Sequence, residues 1–259
     1  MNETIDIRHR MRSSLTKAIQ SSDEGVRAWS AWILSQLGVQ STLILIRILK
    51  EENAGHCEAV WAAGEIGSDA RNMIPLLVQI LEESKEMELC YEIIVTLGKM
   101  GPAAGETVPN LLQFLHETTQ EDLRDEIIGT LGKIGTAEVI HALGRLFHSQ
   151  NTFLHPEIIS ALGEIGKTKV DAILSLCLLL PESPIEIQQE IIRTLGDLGS
   201  SAKEAIPMLL DILNGPKTEL RQTITKALSQ IRKNSSPQKN SGDGVSKRSL
   251  SLEYYLSSP

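Results

Sequence analysis

Apolar residues recur along most of this chain at helical spacing. Ile93, Ile94, Leu97 and Met100 fall at i, i+1, i+4 and i+7, one face of a helix. The figure returns as Ile127, Ile128, Leu131 and Ile134, as Ile158, Ile159, Leu162 and Ile165, and as Ile191, Ile192, Leu195 and Leu198. Six such runs close on a glycine: Gly38, Gly67, Gly101, Gly135, Gly166 and Gly199, at intervals of 29, 34, 34, 31 and 33 residues. A second apolar helix follows, clearest in IPLLVQILEE (74–83), VPNLLQFLHE (108–117) and IPMLLDILNG (206–215). The pattern predicts a helical hairpin repeated about every 33 residues.

A lone hairpin of this size cannot bury apolar faces on both sides, whereas stacked hairpins can, so the expected architecture is an all-α solenoid. The closing glycines suit the residue after a helix end, where φ turns positive. Pro75, Pro109 and Pro207 suit the first helical turn, whose N–H groups have no intrahelical acceptor, so the N–H that proline lacks costs no hydrogen bond there. The glycine three residues before each closing one (Gly64, Gly98, Gly132, Gly163, Gly196) lies in the last helical turn, where it costs about 1 kcal/mol against alanine. Close approach of a partner helix is the expected compensation. We expect a capping helix over residues 1–22, six repeats over 23–216, a last capping helix over 217–232, and a disordered tail over 233–259.

Composition narrows the function. Aromatics make up 3% of the chain and apolar residues 41%, so the core must be aliphatic. The net charge is −8. The tail from Lys233 carries +2, which leaves −10 on the body, and this argues against nucleic acid or an anionic membrane as partner. Three cysteines (Cys57, Cys90, Cys177) form no disulfide framework and favour a reducing compartment. The longest apolar run, ILSLCLLL, is eight residues against the roughly 20 of a bilayer span, and the start has no apolar leader core. The expectation is a cytoplasmic protein, a monomer or part of a heteromeric complex, with protein partners and no cofactor.

The repeating E-I-I-x-x-L-G-x-x-G and [IV]-P-x-L-L-x-x-L segments resemble the short HEAT-like repeat of the phycobilisome-lyase type, over about three-quarters of the chain. The tetratricopeptide and ankyrin signatures are absent. The resemblance implies right-handed superhelical stacks that bind proteins. Some members of that family assist bilin attachment or removal, so a bilin-lyase-like chaperone is the alternative to a non-catalytic scaffold.

Motifs of nucleophilic or phosphate chemistry are missing. A HEAT-like enzyme family, deoxyhypusine hydroxylase, resembles the architecture and holds iron through His-Glu pairs at this phase of the first helix. The equivalent pairs here are Cys57-Glu58, Tyr91-Glu92, Asp125-Glu126, Pro156-Glu157 and Gln189-Glu190. No imidazole remains, so no metal and no catalytic residue is expected.

Function should then lie in surfaces. Six residues before the inner glycine comes Trp29, then Glu58, Glu92, Glu126, Glu157 and Glu190. Three before it come Trp32 and Trp61, then mostly polar residues. The tryptophans form either an aromatic docking patch or a seat for the N-terminal helix with Ile5, Ile7, Met11 and Leu15. The glutamate column is either an acidic ladder for a cationic partner or a solvated flank. On the second helices, the outward stripe turns apolar at Phe147, Leu178 and Leu179, either an exposed partner patch or buried packing. The tail segment SLSLEYYLSS is either a recognition motif or unstructured excess.

Overall fold

Six helical hairpins follow one another in the computed structural model, which describes residues 13–51, 55–148 and 152–233. A helix over residues 13–19 (α1) precedes them. The first helices are α2 (Glu24–Gln36), α4 (His56–Ile66), α6 (Met87–Met100), α8 (Glu121–Ile134), α10 (His155–Gly166) and α12 (Ile185–Asp197). The second helices are α3 (Thr42–Lys50), α5 (Ile74–Glu83), α7 (Val108–Glu117), α9 (Ala137–Phe147), α11 (Val170–Leu179) and α13 (Ile206–Leu213). A last helix, α14 (Arg221–Lys233), packs on α12 as a further first helix would. There is no strand among the described residues. The tail from 234 and residues 1–12 lie outside them, and with them the expectations for SLSLEYYLSS and for Ile5, Ile7 and Met11.

The first helices form an unbroken row, each packed on the one before and the one after, from α2 to α14. The inner glycines explain how close the row is. A Cβ on Gly64 would lie 2.8 Å from Thr96 Oγ1, and one on Gly98 would lie 2.9 Å from Thr130 Oγ1. These threonines then donate across the joint. Thr96 Oγ1 reaches the Val60 carbonyl at 3.0 Å, and Thr130 Oγ1 reaches the Ile94 carbonyl at 3.0 Å. The glycine therefore makes room for the next repeat's first helix rather than for its own hairpin partner. Ile93, Ile94, Leu97, Ile127, Ile128 and Leu131 are fully buried beneath this row, in an aliphatic core.

Connectors come in two lengths, as the spacing implies. The longer ones wind into 3-10 turns, Gly67–Met73, Gly101–Thr107 and Gly199–Ala205, each opened by a glycine at φ near +60°. Pro75, Pro109 and Pro207 stand in the first turn of their helices. Gly166 departs from expectation. It stays inside α10, and the chain turns extended only at Lys169, whose N–H donates to the Ile165 carbonyl at 2.9 Å.

Two of the proposed surface residues are core. Phe147 is 6% exposed and Leu179 is 3% exposed. Phe147 comes four residues after Leu143, itself four after Val139, so all three share the buried row of α9. Leu179 continues the buried row of Ala172 and Leu176 in α11, a helix enclosed by α9, α10 and α12. Leu178 alone of the three points out, at 73% exposure.

Candidate docking face on the first helices

The side chains six and three positions before each inner glycine stand on one face of the row, pointing away from the second helices. At the N-terminal end, Trp29 is 68% exposed and Trp32 49% exposed. Their rings meet edge to face at 5.6 Å. Val26, one turn earlier on α2, is exposed beside them. Described residues 13–19 bury Leu15 and Ile19 in the core yet leave both tryptophans open. Trp61, on α4, is half-buried, with the Lys99 ammonium 5.9 Å from its ring centre. Tryptophan is enriched among the residues that dominate binding energy at protein interfaces, and Trp29 is the most exposed aromatic side chain among the described residues.

Beyond the tryptophans the face turns acidic. Glu58, Glu92, Glu126, Glu157 and Glu190 follow one another along α4 to α12, all half-buried rather than freely solvated. Some are matched within the chain. Arg27 Nε donates to Glu58 Oε1 at 2.5 Å, and Tyr91 Oη donates to Glu126 Oε2 at 3.2 Å, where Lys133 Nζ also approaches at 3.4 Å. In others one oxygen lacks a hydrogen bond: Glu92 Oε1 and Glu157 Oε2 are shielded from solvent without a hydrogen-bond partner. Open grooves run between the helices. One of about 690 Å³ is lined by Asp125, Gly129, Glu157, Glu164 and Glu190, and another of about 700 Å³ by Glu88, Tyr91, Asp122 and Glu126.

The field of this face is legible in its titrating groups. Burial pushes the Cys57 thiol up to about 11, and Glu88, Glu58, Glu92 and Glu86 add to the shift. Burial also raises Glu92 above the usual carboxylate range, with Glu65 and Glu88 reinforcing it and Lys99 opposing it. The folded chain thus holds the Glu92 proton more tightly than the unfolded chain does. Stability from this group is fully present below the unfolded pKa and is lost as pH rises from there through the folded one. Glu92→Gln is therefore expected to raise the melting temperature at pH 7, with the gain vanishing near pH 4, where the carboxyl is largely protonated in both states. A lower melting temperature at pH 7 in calorimetry would contradict this.

The second helices carry a different surface. Leu178 and Leu174, with Ile140, Gly144, His141 and His148, line a groove of about 510 Å³ between α9 and α11. Among the described residues no group of three or more His, Cys, Asp or Glu side chains is placed to hold a metal ion, and no helix is long and apolar enough to cross a membrane.

The structure therefore brings Trp29, Trp32, Trp61, Glu92, Glu126 and Glu157 onto one face, and leaves Leu178 on another. Sequence reasoning missed Tyr91, which is 43% exposed on the same face and bridges α6 to Glu126 of α8. Its signal was present: it immediately precedes Glu92 and is one of only three tyrosines.

No protein-family model and no curated protein matches the chain. Solved structures do. The archaeal HEAT-like repeats protein from Thermococcus onnurineus NA1 is similar at 15% identity and a TM-score of 0.52, over 87% of this chain and 98% of that one. A mutant of Kap121p is similar at 14% identity and a TM-score of 0.51, over 87% of this chain but only 29% of that one. Human deoxyhypusine hydroxylase in complex with glycerol aligns over 90% of this chain and 100% of its own, at 15% identity, but with a TM-score of 0.39 that likeness says nothing about shared chemistry. At such identities the likeness speaks to architecture alone: the chain is an all-α solenoid of HEAT-like repeats.

Proposed function

We propose that this chain is a non-catalytic protein-binding scaffold whose working surface is the exposed face of the first helices. The observation that carries the reading is the exposure of Trp29 and Trp32 beside a row of carboxylates, on a helix whose opposite side is firmly packed. A preformed rigid face loses little conformational entropy on binding, which suits a docking platform. Within HEAT-like repeats we assign the short phycobilisome-lyase type, on the recurring L-G-x-x-G and [IV]-P-x-L-L segments.

The reading is tested by affinity purification with mass spectrometry on the full chain and on Trp29→Ala/Trp32→Ala, with helix content checked by circular dichroism. Partners that bind the parent are expected to be lost from the double variant while its helicity is retained. Undiminished capture by the double variant would overturn the reading.

A further inference from the structure

The chemistry of the docking face specifies its partner. An exposed Trp pair supplies apolar anchoring surface, and Trp faces attract cations as well. The carboxylates that continue the face repel anions. The chain also displays what fits there. The Arg27 guanidinium lies on Glu58, and the Lys99 ammonium lies on Glu65 at 2.8 Å while sitting over Trp61. In both places a cationic side chain fills the space between neighbouring first helices. Further along, Glu92 and Glu157 stay part-exposed at the same position of their helices, each with one carboxylate oxygen shielded and without a hydrogen-bond donor.

Resting on the reading above, we propose that this face docks a basic segment of a partner protein with apolar anchors. Its apolar side chain seats on Trp29 and Trp32, and its arginines or lysines lie against the part-exposed sides of Glu92 and Glu157, drawn there by charge. Charge complementarity fixes the choice of occupant. An acidic segment would meet the same carboxylates at close range, and a nucleic acid would bring its phosphates against them. Residues 1–12 of this chain hold Ile5, Ile7 and Met11 among Arg8, Arg10 and Arg12, so they are the competing occupant that a test must separate.

All three tryptophans of the chain lie on this face, so its intrinsic fluorescence reports on it. The full-length protein is first titrated with acrylamide. It is then titrated with a short synthetic peptide alternating arginine and leucine, and with its counterpart carrying glutamate for arginine. Acrylamide quenching approaching that of the unfolded chain is expected. The arginine peptide is expected to shift the emission to the blue with an affinity that weakens as salt rises. Followed by anisotropy of a labelled peptide, Trp29→Ala/Trp32→Ala is expected to lose about thirtyfold in affinity or more. Glu92→Gln/Glu157→Gln is expected to lose about threefold to tenfold, with a flatter salt dependence. Equal binding of the glutamate peptide, or unchanged affinity in both variants, overturns the proposal while quenchable tryptophans leave the open face standing. Tryptophans shielded from acrylamide in the free protein mean that the chain covers its own face, which overturns both.

Discussion

Gly132→Val is expected to cost about 3 kcal/mol or more of stability, and to lower the melting temperature by about 10 °C. Even a single methyl on Gly132 would stand 3.0 Å from Ala161 Cβ and 3.1 Å from Ala161 Cα. Valine adds two further carbons to a position where the opposing atoms are the Cβ, Cα and carbonyl oxygen of Ala161 in α10, none of which can swing aside. The joint between the fourth and fifth repeats must then open, and every apolar contact across it weakens together. Gly129, one turn earlier on the same helix, is the internal control. Nothing lies within 4 Å of the Cβ it lacks, so Gly129→Ala is expected to gain up to about 1 kcal/mol from helix propensity. Thermal denaturation followed by circular dichroism reads both signs. A Gly132→Val protein that melts with the parent would mean that the row is not fastened by close approach.

Phe147→Glu is expected to be worse still, with a loss of about 4 kcal/mol or more and no native-like melting of the C-terminal repeats. The Phe147 ring is stacked on His155 at 4.0 Å, and His155 Nε2 lies 2.9 Å from the Phe147 carbonyl oxygen. This cluster closes the corner between α9 and α10. A carboxylate there gives up the ring's packing and places a charge where almost no water reaches. Leu178→Glu, on the adjoining second helix, is expected to change stability by no more than about 0.5 kcal/mol, because that side chain is already in solvent. Hydrogen exchange distinguishes the two. Loss of amide protection in α9 and α10 is expected for the first variant and parent-like protection for the second. Parent-like protection in Phe147→Glu would place the ring on the surface.

Why the sequence revealed one face and misread the other follows from the physics of each. The first helices repeat a single figure, in which the inner glycine, the isoleucine pair and the leucine occupy fixed rungs. Aligning the glycines therefore aligned the solvent columns, and Trp29, Trp32 and the glutamates fell where the structure has them. The second helices lack such a marker in the fourth and fifth repeats. There the proline is missing and the connector is three residues long, so no residue type marks which side of α9 and α11 faces out. Phe147 and Leu179 face inward. Pairing across repeats was not legible either. That Arg27 meets Glu58, or that Tyr91 meets Glu126, depends on how far one helix slides past the next, and no spacing within a single helix encodes that offset.

Small-angle X-ray scattering tests the central claim most directly: that these columns are faces because the hairpins stack in one line. Six intervals between adjacent first helices of about 10 Å each give a long axis near 60 Å. The account predicts a skewed pair-distance distribution and a radius of gyration clearly above the roughly 18 Å of a compact globule of this length. A symmetric distribution at that compact value would contradict it.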